Sequence, residues 1–230
     1  MSAKKSQQKR NMQMEKASTS EDSLVISYLV LRKTVGVLGV ALPFVVSLGG
    51  MIIFHDAIQS SISSYYHTGM RDVLVGALWT IGFFLYSYKG YERIDNIVGN
   101  LACVFAVGVS LFPTTADGVN SPTAEFIGGV HLLFAALFFL TLIYFSLVLF
   151  TKTNLNKQST PEKTQRNIVY KVCGYIMLAC VVLMGIYHFL PDSAVASLEA
   201  YKPVYWLETL AILTFGISWL TKGEAILGDK

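Results

Sequence analysis

Six apolar runs, at 34–54, 71–88, 97–112, 126–150, 168–190 and 204–220, alternate with polar stretches along the 230-residue chain. Their lengths suit α-helices crossing a hydrocarbon layer about 30 Å thick, which takes roughly 17 to 25 residues. Alternating segments of about ten residues, the mark of a transmembrane barrel, do not dominate. The pattern predicts an all-α polytopic membrane bundle of six transmembrane helices. Pro43 and the pair Gly49 and Gly50 allow a kink or a close helix contact in the first span. A shorter apolar stretch at 23–31, ending at Arg32 and Lys33, predicts an interfacial helix.

The ends are polar. Residues 1–22 have no aromatic side chain and too little apolar surface to order themselves, so a disordered tail is expected there. The first apolar run begins too late for a signal peptide and no small-residue cleavage site follows it. Residues 23–222 are expected to form the membrane domain and residues 223–230 a short tail.

Charge then orients the spans. Of the 18 Lys and Arg residues, sixteen fall on one side of the six spans, in the two tails and in the loops after the second and fourth spans. Only Arg71 and Lys202 fall on the other. The positive-inside rule therefore predicts that both termini are cytoplasmic. Tyr65, Tyr66, Tyr86, Tyr88, Tyr205, Trp206 and Trp219 lie at predicted helix ends, where an interfacial aromatic belt belongs.

Composition agrees: 53% of residues are hydrophobic, 14% are charged and the mean hydropathy is +0.51. The formal charge of +3 comes from loop residues that form no run interleaved with aromatics, so nucleic acid is not an expected partner and membrane lipids are. Cys103, Cys173 and Cys180 are odd in number, lie inside apolar runs and show no metal-finger spacing, which predicts buried thiols rather than a disulfide framework.

Candidate chemistry gathers at one level. The stretch SSISSYYHTGMRD, residues 60–72, interrupts the first two spans with serines, tyrosines, a histidine, an arginine and an aspartate. His55 and Asp56 end the first span, His67 and Asp72 precede or open the second, and His131 lies about one turn into the fourth. His188 lies near the end of the fifth and Glu208 about one turn into the sixth. All belong to the predicted outer side. Ionisable groups inside apolar helices are costly unless paired, ligated or hydrated, which makes them functional candidates. Imidazole with carboxylate suits Zn²⁺, so His67, Asp72, His131 and His188 form a candidate metal set, with Glu208 as general base or added ligand. Ser63 and Asp72 join Glu208 as catalytic candidates, and Arg71 with Tyr66 as lipid-head-group contacts.

Plainer roles compete for every one of these residues. Asp72 suits a helix start through the dipole, His55 and Asp56 suit a hydrated helix end, and the serines suit caps. His67 suits a hydrogen bond to a tyrosine, and interhelical hydrogen bonding accommodates His131, His188 and Glu208.

Ser63, followed by His67 and then Asp72, resembles the membrane-hydrolase superfamily that includes alkaline ceramidases and adiponectin-type receptors. That resemblance implies zinc held by histidines, a nearby serine and aspartate, and cleavage of lipid amides. The superfamily has seven spans and two late histidines four residues apart; here six runs are visible and His188 stands alone. Residues 60–222 are similar to bacterial multi-pass membrane proteins of unknown function, which implies a location in the bacterial inner membrane. The leading expectation is a metal-dependent hydrolase of lipid or lipid-linked substrates. The alternatives are a non-enzymatic protein binding a lipid head group or a partner, and haem ligation by His131 and His188. Proton or ion transport is disfavoured, because no carboxylate lies near the middle of a run.

Overall fold

The computed structural model describes residues 27–88, 90, 92–116, 118–119, 121–152 and 160–227, and among these residues it is all-helical with no strand. The expected N-terminal tail lies outside the described residues. Helix α1 is Ser27–Phe54, α2 Arg71–Ser87, α3 Arg93–Leu111, α4 Pro122–Leu149, α5 Pro161–His188, α6 Asp192–Leu198 and α7 Pro203–Lys222. The last turns of α1 and α4, Gly50–Phe54 and Phe145–Leu149, widen to π geometry.

Five of these helices, α1, α3, α4, α5 and α7, are long and apolar enough to cross a membrane. Helix α2 has 17 residues, about 26 Å at 1.5 Å per residue, and is the shortest of the six expected spans. Large apolar side chains face outward along the bundle, among them Phe126 at 72%, Ile52 at 71% and Leu133 at 58% exposure. Such an apolar exterior is the signature of a helix bundle whose solvent is lipid.

Helix starts follow local chemistry. Ser121 accepts the Ala124 N–H at 3.1 Å and Thr160 the Lys163 N–H at 3.2 Å, each just before a proline in the first turn. Glu92 and Asp95 form a reciprocal capping box on α3. These caps start α4 and α5 several residues before the apolar runs begin.

Two expectations change. From Ser27 onward, the stretch predicted as a separate interfacial helix is continuous with the first span. No proline or glycine intervenes to stop it, and Arg32 packs over the Tyr88 ring at 5.6 Å instead of ending the helix. The loop after α5 carries α6, which was not expected.

Small residues set the helix crossings. A Cβ on Gly216 of α7 would fall 2.7 Å from the Val40 nitrogen of α1, and one on Gly36 would fall 2.7 Å from the Leu220 nitrogen. Backbones approach this closely only where side chains vanish, the usual device of membrane helix pairs. This contact brackets Trp219 at one end of the bundle; Glu208 lies two turns of α7 away, toward the other end.

Candidate functional site

Between α1 and α2 the chain turns inward. His55 closes α1 in the left-handed region at φ 58°, donating its N–H to Gly50. The following segment is no surface loop, since Ile62 and Tyr65 are 2% and 0% exposed. Residues Ser63–His67 form a 3-10 turn.

Helix α7 anchors that turn. Tyr205 donates its N–H to Ser60 O at 3.1 Å, and its hydroxyl shares a 2.8 Å hydrogen bond with Ser47 of α1. One turn on, Glu208 Oε2 accepts the Ile62 N–H at 2.6 Å and the Ser63 N–H at 3.3 Å, while Oε1 accepts the Ser63 hydroxyl at 3.3 Å. Glu208 is 9% exposed. A buried carboxylate is retained when charge-assisted donors satisfy it, and here the donors come from the segment's own backbone.

Glu208 also borders two cavities. One is a narrow space of about 60 Å³ inside the bundle, with Ser63, Tyr66, Ser110 and His131 among apolar walls from α2, α3, α4 and α7. The other is a groove of about 560 Å³ between α4, α5 and α7, closed at one side by Val195 of α6. Its rim residues Leu132, His188 and Phe189 are exposed. Ala135, Phe139 and Glu208 line both spaces, so the carboxylate stands at the partition between them.

The candidate metal set does not assemble. His131 is buried, and its Nδ1 donates to Phe112 O at 2.7 Å. His67 is exposed, and its Nε2 donates to Thr114 O at 2.7 Å, pinning the loop after α3. Asp72 is exposed in the first turn of α2, and His188 is exposed on the groove rim. Among the described residues no three His, Cys, Asp or Glu side chains form a group suited to a metal ion. His131 and His67 each keep one ring nitrogen free, but Asp72 and His188 are exposed on other elements, so the four proposed ligands do not come together as one set. His131 and His188 line different spaces, which also separates the pair considered for haem.

The remaining candidates divide simply. Ser63 and Glu208 come together; Arg71 donates to the Tyr66 hydroxyl at 2.8 Å and stacks over that ring at 4.4 Å. Ser110 in the cavity, and Tyr205 as the anchor of the segment, were not singled out from sequence. A serine inside an apolar run is the one sequence signal that marks Ser110. No family model matches the chain, and comparison with curated proteins and with solved structures finds no match.

Proposed function

We propose that this is a six-span integral membrane protein of the bacterial inner membrane, with both termini cytoplasmic, that takes a lipid-like amphiphile into the groove beside Glu208. The charge asymmetry of the loops supports the orientation. Helix α2 is the sixth span: a stretch of about 26 Å is accommodated by modest thinning of the bilayer.

The observation that carries the reading is the position of Glu208, a buried carboxylate bordering both the groove and the inner cavity. The groove is apolar and of ligand size, and such a site takes its specificity from a few placed polar groups. Glu208 accepts hydrogen bonds, and no lysine or arginine is among the described residues that line either space. The recognised head group is therefore a donor, a hydroxyl or an amine, rather than a phosphate. The apolar tail lies along Leu132, Phe139, Val181 and Met184.

Binding of monoolein and of sphingosine to the full-length protein in nanodiscs, followed by native mass spectrometry, tests this. Glu208→Gln is expected to weaken one of them by about tenfold, the worth of a charge-assisted hydrogen bond. Gly185→Trp, at a groove position where an added Cβ meets nothing within 4 Å, is expected to block entry. Unchanged binding of both lipids by both variants ends the proposal.

A hydrolytic reading of the same pocket is favoured by one contact, the 3.3 Å hydrogen bond from Ser63 to Glu208. Glu208 is then the general base for the Ser63 hydroxyl, and Asp72, which is exposed on α2, takes no part. Release of fatty acid from lipid esters or amides, abolished by Ser63→Ala with binding retained, distinguishes it from simple binding.

A further inference from the structure

The hydrogen bonds that reach Glu208 all come from neutral groups: the Ile62 and Ser63 amides and the Ser63 hydroxyl. Every one of them is incoming. That is the pattern of an ionised carboxylate, since a protonated one spends its own O–H as a donor. Among the described residues no lysine, arginine or histidine pairs with Glu208; the ion pairs found there join Lys152 to Glu92 and Asp95.

The two spaces beside the carboxylate do not supply the opposite charge. The inner one is walled by Leu42, Leu78, Ile81, Phe138 and other apolar side chains, and an apolar cavity offers a charge neither water nor counter-ion. Its imidazole, His131, already gives Nδ1–H to Phe112 O. The groove has His188 on its exposed rim, and no lysine or arginine is among the described residues that line it. A buried charge is costly unless hydrogen bonds and an opposite charge both meet it. At Glu208 the hydrogen bonds are present and the opposite charge is not.

The carboxylate also has room for one more donor. It offers about four lone-pair sites, of which Oε2 uses two on the Ile62 and Ser63 amides and Oε1 uses one on the Ser63 hydroxyl. The inner space is narrow, at about 60 Å³, whereas the groove of about 560 Å³ has an exposed rim. A ligand that reaches Glu208 therefore comes along the groove.

We infer that the amphiphile taken by this groove is a primary amine, whose ammonium brings Glu208 both the missing charge and a further N–H donor. This rests on the groove reading proposed above and narrows it: of hydroxyl and amine head groups, only the amine neutralises the carboxylate. A quaternary ammonium brings the charge without an N–H. A phosphate on the same head group brings a second charge that no lysine or arginine lining the groove, among the described residues, can meet. The ligand class is thus a long-chain amine without phosphate.

Tetradecylamine, tetradecan-1-ol and tetradecyltrimethylammonium share one chain and differ only at the head. Their binding to the full-length protein in phosphatidylcholine nanodiscs can be compared by native mass spectrometry. The amine is expected to bind about tenfold more tightly than the alcohol, the step from a neutral to a charge-assisted hydrogen bond, and more tightly than the trimethyl compound. Glu208→Gln is expected to abolish the preference for amine over alcohol, and Gly185→Trp to weaken both, which places the chain in the groove. Equal affinity for amine and alcohol in the wild type overturns the inference and leaves the groove reading standing. A preference that survives Glu208→Gln, or a trimethyl compound bound as tightly as the amine, overturns it as well. Binding of none of the compounds removes the groove reading and this inference together. The wild-type comparison of head groups depends on no variant, so misfolding of Glu208→Gln leaves the test intact.

Discussion

The two ends of this bundle handle buried polarity in opposite ways. At the Glu208 end a single carboxylate is held by backbone: the Ile62 and Ser63 amides and the Ser63 hydroxyl reach it from a segment folded into the bundle. At the Trp219 end cations are held by side chains, on the faces of Tyr88, Tyr170 and Phe150. Backbone amides are fixed in place, so the first end is preorganised. Ring faces fix no acceptor geometry, and among the described residues the Trp219 Nε1–H and the Arg32 Nε have no acceptor.

Removing Glu208 tests the first half of that comparison most severely. Glu208→Ala leaves two buried amides without acceptors, and a loss of about 2 to 3 kcal/mol is expected from a hydrogen-bonded buried charge. Thermal unfolding in nanodiscs measures the loss, and hydrogen exchange should show the Ile62 and Ser63 amides deprotected while the Trp219 end stays closed. Glu208→Gln keeps one acceptor and is expected to cost less. If both ends open together in Glu208→Ala, the two are one cooperative unit and the contrast between them fails.

The close contact of α1 and α7 beside Trp219 should behave differently. In Gly216→Ala the new Cβ meets backbone, the Val40 nitrogen at 2.7 Å and the Gly36 carbonyl at 2.8 Å, and backbone cannot rotate aside. A cost of about 1 to 3 kcal/mol is expected from overpacking, felt first at the Trp219 end. Gly129→Ala is the control: its added Cβ meets nothing within 4 Å, and helix propensity predicts a gain of up to about 1 kcal/mol.

Hydropathy located the five helices long and apolar enough to cross a membrane, because burial in lipid demands long apolar runs. What hydropathy cannot carry is rotation about a helix axis. Helix α4 is apolar nearly all round, so nothing in its sequence says that His131 faces inward. The exposure of His188 on the rim is hidden in the same way. The level of Glu208, His131 and His188 along their helices was legible and their convergence was not, which is how a metal set assembled on paper comes apart in space. The partner of Glu208 was equally hidden, because backbone amides look alike in every sequence. Arg32, Lys163, Arg166 and Lys222 are spread over 191 residues of chain, and only the meeting of α1, α5 and α7 makes them neighbours.

Lys152 sharpens the second half of the comparison with a smaller effect. Burial lowers its pKa, but hydrogen bonds and attraction from Asp95 and Glu92 outweigh burial and hold it above the usual lysine range. A lysine raised in the folded state stabilises below its unfolded pKa, and that contribution disappears as pH rises through the folded value. The pair is partly exposed at Lys152, so Lys152→Met is expected to cost no more than about 1 kcal/mol at neutral pH. Thermal unfolding of wild type and variant should differ at pH 7 and converge only in strongly alkaline buffer. A gap that persists there assigns the effect to lost packing rather than charge.

The smallest expected effect concerns His188. It is exposed on the groove rim, and its ring contact with the adjacent Phe189, 5.2 Å between centres, involves no second helix. His188→Ala should therefore leave thermal stability within about 0.5 kcal/mol of wild type, as substitutions away from packed features usually do. His131→Phe removes the part-buried hydrogen bond to Phe112 O and should cost about 1 kcal/mol. The two histidines, equivalent by position along their helices, thus separate by stability alone. Amphiphile binding separates them a second way: His188 borders the groove where the tail enters, so His188→Ala alters binding only if the amphiphile passes that rim. A variant as stable as wild type that has lost the amphiphile marks the rim as the entrance. One that binds normally places the entrance elsewhere along α4 and α5.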